Sequence, residues 1–105
     1  MAETWHHVAS IDQIDPDQPL SVKVGDQTIG IFKLNDTLYA IEDICPHAYA
    51  LLSQGFIEGD QVECPLHEAA FHISTGKCLK APADRDVKTY PVRVEGDQVQ
   101  IAMVS

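Results

Sequence analysis

Short runs in which apolar and polar residues alternate recur along the chain: Ser21-Val22-Lys23-Val24, Thr28-Ile29-Gly30-Ile31, Pro91-Val92-Arg93-Val94-Glu95 and Val99-Gln100-Ile101-Ala102-Met103. A period of two marks a half-buried β-strand. The runs flank one repeated signal, seen as Gly25-Asp26-Gln27, Gly59-Asp60-Gln61 and Gly96-Asp97-Gln98. Glycine takes positive φ and aspartate bonds its own backbone, so each signal predicts the turn of a β-hairpin. Their spacings, 34 and 37 residues, differ and their flanks do not match, which argues against an internal repeat. A further strand is predicted from about Thr37 to Ile44, opened by the turn Asn35-Asp36 and preceded by a strand that carries Phe32 and Leu34. An N-terminal strand is expected to pack Trp5 in the core, and Asp15 to Pro19 reads as a loop. No stretch keeps a 3.6-residue period for three turns; Ala48 to Leu52 manages one. The prediction is an all-β, antiparallel sandwich or small barrel.

Length and composition narrow the picture. One hundred and five residues make one domain, and 45% apolar residues can fill a single modest core. Seven basic residues stand against sixteen acidic ones, for a formal charge of −9, which disfavours nucleic acid as a partner. No run has the apolar length of a spanning helix, and Met-Ala-Glu-Thr-Trp does not begin like a signal peptide. Three cysteines are too few for a secreted disulfide scaffold, so a reduced cytoplasmic setting is expected.

The chemistry concentrates in Cys45-Pro46-His47 and, sixteen residues later, Cys64-Pro65-Leu66-His67. Thiolate and imidazole together bind transition metals, which leaves zinc, copper and iron–sulfur open. Each pair follows a predicted strand, Ile41–Ile44 or Gln61–Glu63, and each cysteine precedes a proline that stiffens the turn. Zinc fingers more often group cysteine with cysteine and histidine with histidine. Here each loop offers one of each, which suits a dinuclear cluster with Cys45 and Cys64 on one iron and His47 and His67 on the other.

This Cys-x-His-x₁₆-Cys-x-x-His pattern resembles the ligand signature of Rieske 2Fe–2S proteins, in which histidines replace two cysteines on one iron. Phe71-His72-Ile73-Ser74-Thr75-Gly76-Lys77, the Ala81-Pro82 loop and Lys88-Thr89-Tyr90-Pro91-Val92 are similar to the small ferredoxins of bacterial aromatic-ring dioxygenases, over a stretch from Cys45 to about Val92. The resemblance implies an antiparallel sandwich with a smaller inserted cluster-binding subdomain at about 44–82, within one domain over 1–105. It implies one 2Fe–2S cluster, and a carrier that takes single electrons from a flavin-containing reductase to a terminal oxygenase. It also implies the His47 and His67 edges facing partners and a proline loop at Pro82 covering the cluster; a monomer is expected of a diffusing carrier.

The chain departs from that pattern at Pro46 and Ala48, where threonine and glycine are common, and at Glu68-Ala69-Ala70, where glycines usually follow the last histidine. Ala50 and Leu66 stand where high-potential relatives place a disulfide, and Ala69 and Phe71 where they place hydroxyl donors. A potential at the low end of the Rieske window, about −150 to +300 mV, is therefore expected.

The remaining residues read plainly. Cys78 is expected to be a buried small hydrophobe on the second strand of a hairpin, and His72 an exposed or half-buried strand residue. Pro46, Tyr49, Leu51, Leu52 and Leu66 would ring the ligand loops, shielding the cluster and forming an apolar docking tip. Glu42, Asp43, Glu58, Asp60, Glu63 and Glu68 read mostly as a solvated face that also steers a basic partner. A Rieske oxygenase fails on length, since no chain is left for a mononuclear-iron domain. A small Rieske-type subunit of a larger reductase, such as a nitrite reductase, and a zinc-stabilised interaction module are the alternatives.

Overall fold

The computed structural model describes residues 3–15, 18–45, 50–65, 69–80 and 85–104. The strands are β1 (Glu3–Ser10), β2 (Leu20–Val24), β3 (Gln27–Leu34), β4 (Thr37–Glu42), β5 (Phe56–Glu58), β6 (Gln61–Glu63), β7 (Ala70–His72), β8 (Cys78–Lys80), β9 (Thr89–Tyr90), β10 (Val92–Glu95) and β11 (Gln98–Val104). They form three antiparallel sheets, ordered β1-β11-β10, β2-β3-β4-β9 and β5-β6-β7-β8. Helical structure among the described residues is confined to single 3₁₀ turns at Ile11–Gln13 and Leu52–Gln54. The fold is all-β.

The expected hairpins form as their turn residues require. Gly25, Gly59 and Gly96 take φ of 63°, 61° and 66°, and Asn35, which tolerates the same left-handed region, takes 57° at the β3–β4 turn. Each of these residues is followed by an aspartate.

Two cores hold the sheets together, and the middle sheet feeds both. Ile29 and Ile31 of β3 and Ala40 of β4 pack with Ala9, Ile14, Val99 and Ile101 against the terminal sheet. The alternate residues Phe32 and Ile41 pack with Leu52, Val62, Phe71, Ile73 and Val87 against the small sheet. A sheet covered on both faces needs apolar residues at successive positions, and Ile29, Gly30, Ile31 and Phe32 are all buried.

Two expectations are corrected here. Trp5 is only half-buried: it shares the outer face of the terminal sheet with Arg93 and Gln100, and the Arg93 guanidinium sits 4.2 Å from its ring centroid. The strand expected to reach Ile44 leaves its ladder after Glu42, because Asp43 turns into the interior and Ile44 keeps only an isolated bridge to Leu51.

Candidate metal centre

Cys45 and Cys64 begin two loops built alike. In the first, Asp43 N–H donates to the Thr28 carbonyl (3.0 Å), Leu52 N–H donates to the Asp43 carbonyl (2.6 Å), and Cys45 N–H closes on the Ala50 carbonyl (2.9 Å). In the second, β6 pairs Glu63 with Ala70, and Cys64 N–H closes on the Ala69 carbonyl (2.6 Å). Each cysteine thus bonds the carbonyl five residues ahead, at the mouth of a narrow antiparallel stem. The local sequences match this geometry: Cys45-Pro46-x-x-x-Ala50 and Cys64-Pro65-x-x-x-Ala69 share one frame, a signal that the ligand spacing alone does not reveal.

Both thiols are 2% exposed and lie in the same core cluster, with Phe32, Ile41, Leu52, Val62 and Phe71 around it. No disulfide joins the described cysteines. Two buried soft donors at the ends of twin stems fit an iron–sulfur group between the loops. His47 and His67 lie outside the described residues, as do Pro46, Ala48, Tyr49, Leu66, Glu68, Ala81 and Pro82. Among the described residues no three metal-binding side chains come together.

The acidic residues near the loops are not one solvated face. Asp43 is fully buried and clasps the first stem: its Oδ1 accepts from Ser53 N–H (2.7 Å) and its Oδ2 from Ser53 Oγ (2.8 Å). A side chain at Gly30 would reach to 2.7 Å from that carboxylate and 2.9 Å from the Phe32 ring, so the glycine makes the room for both. Glu42 also faces inward. Its carboxylate accepts a fork from Arg85, at 3.2 and 3.0 Å, and a bond from Lys88 N–H at 3.1 Å. Burial alone would push the Glu42 carboxyl up; the Arg85 hydrogen bond, the Lys88 N–H and both positive charges outweigh it and hold the carboxyl below its ordinary value. Glu58 and Asp60 are exposed as expected, and Glu63 is half-buried.

The other side chains sort themselves by partner. His72 is half-buried, with Nε2 2.9 Å from Asp60 Oδ2 and Nδ1 within 3.0 and 3.2 Å of the Ser74 and Thr75 hydroxyls. Cys78 lies on β8 as expected but is partly rather than fully buried, backed against the core, with its N–H donated to Asp86 Oδ1 at 2.8 Å. Leu52 is fully buried in the core beside Cys45 and Cys64, whereas Leu51 is half-buried. Burial, and then the Glu42 charge, push the Tyr90 phenol up. No helix among the described residues is long and apolar enough to cross a membrane.

Known proteins share much of this sequence and fold. The family model of the Rieske [2Fe-2S] domain matches residues 4–91. The ferredoxin component of the naphthalene 1,2-dioxygenase/salicylate 5-hydroxylase systems of a Ralstonia species is 38% identical over 103 residues, which cover 98% of this chain and 99% of that protein. The ferredoxin of carbazole 1,9a-dioxygenase from Nocardioides aromaticivorans IC177 superposes with a TM-score of 0.86 at 32% identity, covering 93% of this chain and 96% of that one. A ferredoxin chain in a complex of reduced oxygenase and oxidised ferredoxin of carbazole 1,9a-dioxygenase superposes with a TM-score of 0.85, also at 32% identity, covering 93% and 92%.

Proposed function

The chain belongs to the Rieske [2Fe-2S] family, and from that premise we propose that Cys45, His47, Cys64 and His67 hold its cluster, with the cysteines on one iron and the histidines on the other. The protein carries one Rieske-type 2Fe–2S cluster and is a ferredoxin component of an aromatic dioxygenase system, an electron carrier rather than a catalyst. When bound, the cluster supplies reversible one-electron storage. The chain's own residues do the rest. The twin stems fix where Cys45 and Cys64 stand, the Asp43–Ser53 clasp ties the two sides of the first stem, and Phe32, Leu52 and Phe71 keep the thiol side dry.

The observation that carries the ligand assignment is the pair of buried cysteines at matching ends of two stems closed by the same hydrogen bond. The small sheet β5–β8, with the loop stems attached to it, is the cluster-binding subdomain of about 44–82. A flavin-containing reductase is the electron donor and a terminal oxygenase the acceptor; the carbazole dioxygenase complex pairs a similar ferredoxin with its oxygenase. A monomer working in the cytoplasm fits a carrier that shuttles between two proteins.

Substitution tests the assignment. Cys45→Ser, Cys64→Ser, His47→Ala and His67→Ala are each expected to lose the visible absorption of the cluster, whereas Cys78→Ser keeps it. Full cluster content in any one of the first four variants would strike that residue from the set.

A further inference from the structure

One face of the small sheet is turned away from the core that holds Cys45 and Cys64. Strand register fixes its composition, since cross-strand partners share a face. Phe56, Glu63 and Ala70 form one row, and Glu58, Gln61 and His72 the next. The opposite face, with Ile57, Val62 and Phe71, is spent on the core. Phe56 is 64% exposed, the most exposed large hydrophobic side chain among the described residues. Beside it Ala70 contributes only a methyl group and is itself buried, and a hollow of about 200 Å³ opens there, lined by Phe56, Ile57, Glu58, Gln61, Glu63 and Ala70. Glu58 is exposed on its rim and has no ion-pair partner among the described residues.

We propose that this face is a docking surface for a basic electron-transfer protein, which lays the stem of a lysine or arginine on the Phe56 ring and its charged head against the Glu58 carboxylate. The inference rests on the electron-carrier reading and adds to it where, and with what chemistry, a partner binds. An aromatic face attracts a cation, and a long basic side chain covers apolar surface while its head stays with the acids. The charge of −9 draws a basic partner in and repels an acidic one. The position also suits electron transfer. Glu63 directly precedes Cys64, so a partner seated here stands beside the second ligand loop. A patch this small suits a transient encounter, the kind that electron carriers make.

The test mixes reduced holoprotein by stopped flow with ferric cytochrome c, a basic one-electron acceptor, and separately with ferricyanide, which needs no docking face. In each reaction one electron leaves the reduced protein and reduces one ferric ion, and nothing else is transferred. Phe56→Ala and Glu58→Lys are each expected to slow cytochrome c reduction about tenfold, the loss of one central interface anchor. Phe56→Ala should keep the wild-type ferricyanide rate. Glu95→Lys makes the same change in net charge on exposed β10 and should slow cytochrome c far less. Wild-type cytochrome c rates in both variants, equal losses at Glu58 and Glu95, or a Phe56→Ala protein slowed equally toward both oxidants would each overturn the docking face. A reduced wild-type protein that passes electrons to neither oxidant would instead sink the carrier reading itself.

Discussion

Asp43 shows what a single side chain contributes near the centre. It is a carboxylate without solvent exposure, two residues before Cys45, and both of its oxygens are taken by Ser53. Asp43→Ala would leave the half-buried Ser53 N–H and hydroxyl without their acceptor, an expected loss of about 1–3 kcal/mol. Asp43→Asn keeps an acceptor for the N–H and offers a donor to the hydroxyl, so it should lose clearly less; chemical unfolding of the two variants side by side checks the order, and equal losses would contradict the clasp. Gly30→Ala attacks the same spot from β3, driving a methyl into the Asp43 carboxylate and the Phe32 ring, and should cost about 1–3 kcal/mol by overpacking. None of this was legible along the chain. Asp43 reads as one more acid in an acidic stretch, because its partners lie ten and thirteen residues away and only the fold joins them. The candidate ligand cysteines were legible, since metal chemistry restricts residue type and spacing in a way that burial does not.

At the level of elements, the hairpins were readable because their turns need residues with special backbone freedom, and glycine followed by aspartate declares it. The end of β4 and the seat of Trp5 were not readable. Apolar residues stand on both sides of the Glu42-Asp43 pair, so the pattern does not mark where the ladder ends, and an aromatic residue near a terminus carries no mark of which sheet face it takes. The Arg85–Glu42 fork ties the segment after β8 to β4 and has its own pH signature. Because the folded state lowers the Glu42 carboxyl, this link stabilises the protein above the ordinary carboxyl value of 4.5 and fades as pH falls through the lowered folded value. Arg85 is half exposed, so the gain is screened and stays below about 1 kcal/mol. Thermal unfolding of wild type and Glu42→Gln should show a wild-type advantage near neutral pH that shrinks below 4.5; parallel curves would contradict it. Tyr90 acts at the other end of the scale. Its phenol is raised in the fold, so the unfolded chain ionises first and stability falls as pH rises past 10.0. Tyr90→Phe should flatten that alkaline loss, and an unchanged slope would assign it elsewhere.

For the whole molecule, the layered arrangement keeps scaffold and centre apart. The terminal and middle sheets make a core that holds neither Cys45 nor Cys64, while the small sheet shares its core with both of these candidate ligands. The Ala69 and Phe71 side chains beside the second loop bring no hydroxyl to the cluster region, and the chain is strongly acidic. Both features disfavour the more negative reduced cluster, so the midpoint potential should fall in the lower part of the Rieske window, under about +100 mV. An equilibrium redox titration that returns a value above that would contradict the reasoning from missing donors and net charge. The proposed ligand set is two cysteines and two histidines on a single 2Fe–2S cluster, and pulsed EPR of the dithionite-reduced protein probes that set without an intermediary. The expected result is a Rieske-type spectrum, with average g below that of four-cysteine ferredoxins and strong coupling to two imidazole nitrogens. A four-cysteine-type spectrum without nitrogen coupling, or a colourless protein that holds zinc instead, would contradict it.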